Sequence, residues 1–242
     1  MRHSDAAGGS LTDNWKTAGS PDVEERARQS GGTSNQAIYQ MVAWALSVRQ
    51  AKGLLVDVGC GNGNLWPFIC DRFSDYVGVD AVRYDGFPDD AEFCRANLDV
   101  LPTPLPDSCA DVVVAIETIE HLENPRAFMR ELVRMAKPGG WVVVTTPNQL
   151  SLLSLLTLVV KKRFAAFQDV HYPAHITALL EIDLRRIADE CGLAEIEINY
   201  SAEGRIVLTP FHFPRMLSHL FPRTLSDNVL LVGRKTPESF GR

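Results

Sequence analysis

Glu117, Glu120 and His121 lie within five residues of one another, in the stretch Ile116-Glu-Thr-Ile-Glu-His-Leu-Glu-Asn-Pro125. Carboxylates and imidazoles exchange protons and hold divalent cations under ordinary conditions. On a helical turn, positions 117, 120 and 121 are i, i+3 and i+4 and share one face. Three readings of the cluster stand open. It is an acid–base or substrate-binding group with His121 and Glu120 as the catalytic pair, a metal site, or a set of acids suited to the first turn of a helix. The helix dipole, worth about 0.3–1 kcal/mol per charge, accounts for the acids but not for the histidine.

The elements around the cluster decide where it sits. Short β-branched runs at Leu54–Val58, Tyr76–Asp80, Ala96–Asp99, Val112–Ile116 and Trp141–Thr146 read as strands. Helical patterns separate several of them, one around Leu65–Phe73 and one opened by Asn124-Pro125 and stopped by Lys137-Pro-Gly-Gly140; Asn is a good N-cap and Pro fits the first helical position. Near-continuous apolar strands alternating with helices predict an α/β fold, a doubly wound parallel sheet covered on both faces. The cluster then leaves the carboxyl end of the fourth strand, the edge where such sheets bind ligands. Upstream, Asn35–Gln50 has helical periodicity. Downstream, helices are expected at Leu150–Phe164 and Glu181–Glu190, strands at Ala194–Tyr200 and Asn228–Gly233, and a Pro/Phe/His-rich insert with a short helix at 203–227.

The stretch Val56-Asp-Val-Gly-Cys-Gly-Asn-Gly63 follows a strand and is expected to open a helix. In that context its glycines allow a tight turn and close approach of backbone to a ligand. Asp80 ends the next strand, 21 residues after Gly59, where an acid accepts hydrogen bonds from ribose hydroxyls. A nucleoside-type cofactor follows. Asn64 stands where a dinucleotide fingerprint has its third glycine, which disfavours a nicotinamide oxidoreductase, and Asp57 suits a cationic ligand better than a pyrophosphate.

Asp57-Val-Gly-Cys-Gly-Asn-Gly63, Asp80, Asp99-Val100, Leu105-Pro-Asp-Ser-Cys-Ala-Asp-Val-Val113 and Lys137-Pro-Gly-Gly140 together resemble the class I S-adenosylmethionine-dependent methyltransferases. The match is collinear from about Leu54 to Asn148. The resemblance implies a seven-stranded sheet whose last strand is antiparallel. It places Asp57 and the Gly59, Cys60, Gly61, Asn62, Gly63 loop around the methionine part of the cofactor, and Asp80 at the ribose. Asp99 would meet the adenine amino group, the Val100 N–H would lie beside the ring, and Glu117 near the sulfonium. Val82 would pack on the adenine or belong to the core. The E-x-x-E-H segment, with the later His171-Tyr-Pro-Ala-His175, is similar to ubiquinone-biosynthesis O-methyltransferases and to RNA 2′-O-methyltransferases. In the RNA enzymes the matching positions hold a divalent metal, which here would be Glu117, Glu120, His121 and His175. Two Glu and two His suit Mn²⁺, Fe²⁺, Co²⁺ or Zn²⁺ better than Mg²⁺.

The expected activity is O-methylation of a small-molecule hydroxyl by in-line transfer, which is chiefly a matter of alignment. The alternatives are RNA 2′-O-methylation with a divalent metal and a cofactor-binding regulatory protein without chemistry. A net charge of −6 and a pI near 5.5 count against a nucleic-acid partner. Five cysteines without a CxxC pair read as reduced, mostly buried thiols of a cytoplasmic protein. Residues 1–34 read as a flexible or cofactor-covering segment with a polar start lacking a signal peptide, followed by a single domain over 35–242. The apolar run Leu150–Val160 is too short to span a bilayer, which takes roughly 20 residues. It reads as a core or lid helix within 149–180, with membrane-surface contact through Leu150–Arg163 as the minority reading. That helix and Phe211, Phe213 and Phe221 either roof an apolar acceptor pocket or pack the insert onto the sheet, and His212 and His219 read as surface or packing residues. Oligomeric state stays open.

Overall fold

The computed structural model describes residues 21–237. The chain runs α1 (Pro21–Ser30), α2 (Gln36–Val48), β1 (Gly53–Val58), β2 (Phe73–Asp80), β3 (Glu92–Arg95), β4 (Ala110–Ile116), α3 (Pro125–Met135), β5 (Ala136–Pro147), α4 (Leu152–Lys161), α5 (Glu181–Glu190), β6 (Leu193–Tyr200), α6 (Arg215–Leu220) and β7 (Asn228–Lys235). The strands form one sheet in the order β3-β2-β1-β4-β5-β7-β6. Strands β1 to β5 are parallel, and β7 slots antiparallel between β5 and β6.

Alternation along each strand divides the core in two, because successive side chains point to opposite faces. Val56, Val58, Val113, Ala115, Val142 and Val144 meet Phe128 and Leu132 of α3 and Leu184 and Ile187 of α5. Leu55, Val112, Val114 and Val143 meet Ile38, Val42 and Leu46 of α2 on the other side. Asn35 caps α2 by accepting from the Ala37 N–H, and Asn124 caps α3 by accepting from the Ala127 N–H. The two-sided sheet is therefore closed by helices whose starts are written locally.

Several boundaries differ from expectation. The loop after β1 leads to one 3₁₀ turn, Trp66–Phe68, rather than a helix, because β2 begins at Phe73 and leaves no room for more. Strand β3 is Glu92–Arg95, so residues 96–99 form a turn instead; this edge strand is half polar and carries little hydrophobic signal. Strand β5 starts at Ala136, making Lys137–Gly140 an irregular part of the strand, with a register shift between Ala110 and Val112 on its partner. Helix α4 spans Leu152–Lys161: Ser151 caps it and Lys162 ends it in a left-handed conformation. It is no core helix, since Ser154 is its buried side chain while Val159 and Val160 are 68% and 77% exposed. Of the five free cysteines only Cys60 is buried, and Cys70 is exposed. The expected tail at 1–20 lies outside the described residues.

The carboxyl ends of β1 and β4 are locked together at Gly59. Its φ is +77°, a left-handed conformation, and a Cβ there would stand 2.2 Å from Thr118 Oγ1. We expect Gly59→Ala to cost about 2 kcal/mol or more, from the positive φ and the collision together. Urea unfolding checks this, and an unchanged midpoint would contradict it.

Candidate active site

A cavity of about 630 Å³ opens at the carboxyl ends of β1, β2 and β4. Asp57, Gly59, Cys60, Gly61, Asp80, Asp99, Glu117, His121 and His175 all line it. Of the expected cofactor residues, Asn62, Gly63 and Val100 do not. Asn62 turns outward, its amide donating to the Gly31 and Gly32 carbonyls at 3.1 and 2.9 Å. The Val100 N–H is taken by the Asn97 carbonyl at 3.0 Å, so it is not free for an adenine, and Leu98 faces the cavity instead. Val82 is core, 2% exposed and away from the lining.

The glycine loop contacts a ligand through bare backbone, not through free donors. The Gly59 and Cys60 N–H groups donate to the Val79 carbonyl, Gly61 to Asp80 Oδ2 at 2.9 Å, Asn62 to Gly32, and Gly63 to Cys60. Every N–H from 59 to 63 is engaged, and only a 3₁₀ turn follows. The helix N-terminus with free N–H groups that cradles a pyrophosphate is missing here. A dinucleotide does not fit the loop.

Acids dominate the same walls. Asp57 is fully buried, accepts a 2.7 Å bond from the Tyr76 hydroxyl on Oδ2, and its Oδ1 meets no partner among the described residues. Burial pushes its carboxyl up to about 7, against the lowering effect of the Tyr76 bond. Asp80 is likewise raised by burial. Its two oxygens accept from the Gly61 and Val82 N–H groups, and a carboxylate has room for more. Asp99 is less available: Oδ2 pairs with Arg26 of α1 at 3.0 Å and Oδ1 accepts the Glu123 N–H at 3.0 Å. A role for it at an adenine amino group requires sharing those oxygens. Helix α1 thus covers this end of the cavity, held by Arg26, by Asn62, and by a bond from the Tyr84 hydroxyl to the Ala27 carbonyl.

Glu117 adopts φ +48°, which is strained for a residue with a Cβ. Its N–H donates to Thr145, and its carboxylate accepts 3.1 Å from Thr145 Oγ1 and 2.9 Å from Asn228 Nδ2. Burial still pushes this carboxyl up to about 7. Thr145 and Asn228 were invisible as site residues in the sequence, Asn228 because it stands 111 positions away, and Tyr76 because it reads as an ordinary strand aromatic.

Glu120, His121 and His175 converge so that one ligand-type atom from each lies within 4.8 Å of the others. Glu117 does not join them, which corrects the four-residue ligand set: Thr145 and Asn228 hold its oxygens elsewhere. Glu120 is 0% exposed and does not line the cavity, so it is no direct acid or base for an acceptor there. Its Oε2 accepts from Thr146 at 3.0 Å, while Oε1 has no partner among the described residues. Burial first, and the charge of Glu117 second, push its carboxyl well above the usual range. His121 Nδ1–H donates to the Ala174 carbonyl at 2.8 Å, and His175 Nδ1–H to the Ala166 carbonyl at 2.7 Å. Both imidazoles thereby carry the proton on Nδ1 and the lone pair on Nε2, the tautomer a metal requires, although the His121 ring also lies within reach of the Glu117 backbone. Burial holds His121 below its ordinary value and takes His175 to about 4, with His121 adding to the latter. His121 is thus a weaker base than its residue type promised, but a neutral ligand. His171 stacks on His175 at 5.4 Å, yet its Nδ1 accepts the Gln168 N–H, so it presents an N–H and not a lone pair.

The far wall is polar. Ser201, Glu203, Arg205, His212 and Asp227 line it, whereas Phe211, Phe213, Phe221 and the apolar side chains of α4 do not. Of the two readings of these residues, roofing the acceptor pocket or packing the insert, the lining does not favour the first, since none of them faces the cavity. His212 is an exposed surface residue, as expected, and it also stands at the cavity rim, 3.8 Å from Glu203.

Fold and site together define a Rossmann-like, S-adenosylmethionine-dependent methyltransferase. Residues 36–198 match the family model described as a methyltransferase domain, and the chain belongs to that family. A probable S-adenosylmethionine-dependent methyltransferase of Mycolicibacterium smegmatis is 30% identical over 120 residues, which are 48% of this chain and 45% of the relative. A ubiquinone biosynthesis O-methyltransferase of Idiomarina loihiensis is 27% identical over 155 residues, 60% of this chain and 63% of the relative. The chain spans about half the length of the curated relatives it matches. Among solved structures, a methyltransferase from Archaeoglobus fulgidus shares the fold at a TM-score of 0.58 with 16% identity, covering 81% of this chain and 94% of that one.

With Asp57 expected to meet the cofactor's ammonium group, cofactor binding is predicted to depend on pH. A carboxyl raised to about 7 is half protonated at neutrality, and a ligand bearing an ammonium group binds its ionised form. Affinity for S-adenosylhomocysteine should therefore rise with pH and level off above 7, falling about tenfold per unit below it. Calorimetric titration from acid to neutral pH checks this. A flat profile, or one unchanged by Asp57→Asn, would contradict it.

Proposed function

We propose that this protein transfers the methyl group of S-adenosylmethionine to a hydroxyl of a small molecule, with a divalent cation held by Glu120, His121 and His175. The observation that carries the reading is the convergence of those three ligand atoms, with the orphaned Glu120 Oε1 and two histidines whose Nδ1–H groups are tied to carbonyls. One carboxylate and two imidazoles form the donor set of Zn²⁺ and of Mn²⁺ or Fe²⁺ sites that keep open positions. When bound, the cation supplies Lewis-acid charge that lowers the pKa of a neighbouring hydroxyl. The printed names of the ubiquinone biosynthesis relatives accord with a hydroxyl acceptor.

The chain's own residues account for the rest. Asp57, whose Oδ1 is unpartnered among the described residues, would hold the cofactor's ammonium group, and Asp80 would accept from its ribose hydroxyls. The glycine loop, stripped of Cβ atoms, lets the cofactor lie against backbone. Glu117, fixed by Thr145 and Asn228, lends negative charge beside the sulfonium. Placing donor and acceptor in line is the main catalytic contribution, because such a displacement is governed by proximity and orientation. Expulsion of water comes from α1, which covers the adenosine end.

A catechol offers the vicinal hydroxyls such a site would grip. With labelled S-adenosylmethionine and a catechol probe, we expect O-methylated product that disappears on chelation and returns with Mn²⁺ or Zn²⁺. His175→Ala should lower the rate by about 10²-fold or more while leaving S-adenosylhomocysteine binding within about twofold. Undiminished transfer in the presence of chelator would overturn the metal assignment, and product methylated at carbon or nitrogen would overturn the acceptor assignment.

A further inference from the structure

Two segments flank the acceptor end of the cavity, 150–168 around α4 and 204–226 around α6. They are joined by the Leu152 N–H, which donates to the Thr224 carbonyl at 2.8 Å, and beside it the amide of Asn148, just after β5, donates to the Arg223 carbonyl at 2.7 Å. They also share the mouth, with Ala165 and Ala166 of the first and Arg205 and His212 of the second lining it.

Their surface is unlike that of the rest of the molecule. Ten of the sixteen exposed large hydrophobic side chains among the described residues fall in these 42 residues, including Leu156, Val159 and Val160 on α4, Met216 and Leu220 on α6, and Phe221 just after it. Apolar side chains clustered this way mark an interaction surface, whereas scattered ones need no explanation. Helix α4 buries Ser154 fully, leaves Leu152, Leu153 and Leu158 half-buried, and exposes Leu155, Leu156, Val159 and Val160, unlike a helix packed on a core.

Charge is segregated as sharply. The two segments contain Lys161, Lys162, Arg163, Arg205, Arg215 and Arg223 and no Asp or Glu, while the other 200 residues carry thirty acids against eighteen bases. Arg163, Arg205 and Arg223 reach carboxylates on flanking elements. Lys161, Lys162 and Arg215 meet none among the described residues. A chain of net charge −6 is repelled by anionic surfaces in general, so concentrating bases here gives one face the opposite preference.

We propose that this face docks onto an anionic lipid bilayer, with the α4 and α6 aliphatic side chains entering the interface and the unpaired bases meeting lipid headgroups. The combination of exposed aliphatics with a basic rim is that of interfacial helices, which lie on the membrane and do not cross it. No helix of the described residues is long and apolar enough to cross one. Docking turns the cavity mouth toward the bilayer, so the acceptor is an amphiphile whose polar hydroxyl-bearing head enters the polar wall while its tail stays in lipid. That identification of the acceptor rests on the methyltransferase reading, whereas the docking itself does not.

The test is co-sedimentation of the full chain with vesicles of phosphatidylcholine alone or mixed with phosphatidylglycerol, alongside S-adenosylhomocysteine binding as an independent readout. We expect binding to the anionic vesicles only, weakened by salt. Lys161→Glu with Lys162→Glu should reduce it by about tenfold or more, since each base near an anionic surface contributes roughly fivefold. Val159→Glu with Val160→Glu should abolish it, and both variants should keep wild-type cofactor affinity, because all four side chains are remote from the cofactor residues. Equal binding to both vesicle types, or none, would overturn the proposal. So would a concentration-dependent dimer in sedimentation velocity that Val159→Glu with Val160→Glu dissolves, since a second copy would then be the occupant. Loss of methyl transfer with docking intact would count against the proposed reaction and leave the docking surface standing.

Discussion

The structure is organised around carboxylates buried without their counter-ions. Asp57 and Glu120 stand at the carboxyl ends of β1 and β4 with almost no exposure to water, Glu117 stands half-buried on the cavity wall, and desolvation raises all three. An ionised carboxylate out of water costs several kcal/mol unless it is paired. The protein supplies only neutral donors, Tyr76, Thr145, Thr146 and Asn228. Two oxygens, Asp57 Oδ1 and Glu120 Oε1, have no partner at all among the described residues. In the proposed reading, an ammonium-bearing sulfonium cofactor would answer the first and a divalent cation the second. Binding thus relieves strain that the ligand-free fold has to carry.

That constraint explains features that otherwise look unrelated. The glycine loop has spent its N–H groups on Val79, Asp80 and Gly32, because an anion is not what it must hold. Glu117 tolerates a left-handed backbone because Thr145 fixes both its N–H and its carboxylate. The histidines are desolvated into the neutral form, which suits ligands better than proton shuttles. The outer surface follows a complementary logic. Acids are spread over the rest of the chain but are absent from the two segments that flank the mouth, where exposed aliphatics concentrate.

Legibility in the sequence followed locality. Strand β1, its glycine loop and Asp80 form one contiguous unit, and their placement was readable from spacing. Asn124 marked the start of α3 because capping is decided within a turn, and α2 was legible from its helical periodicity. Strand β3 was misplaced by several residues because a short, half-polar edge strand has no hydrophobic signature. The partition of the E-x-x-E-H cluster could not be read, since it depends on which oxygens Thr145, Thr146 and Asn228 claim. Val100 was carried over by position alone, and its N–H turned out to be spent on a local turn. Helix α4 misled for a physical reason: an apolar run announces that it will leave water, but not whether it enters the core or another surface.

The central claim, that a divalent cation completes the buried carboxylate cluster, is tested most directly by anomalous diffraction from crystals grown with S-adenosylhomocysteine and Mn²⁺ or Zn²⁺. The account predicts a single peak at about 2.0–2.2 Å from Glu120 Oε1 and from Nε2 of His121 and His175, with Glu117 still bonded to Thr145 and Asn228. No peak there, with Glu120 bonded instead to the cofactor or to a histidine, would contradict it.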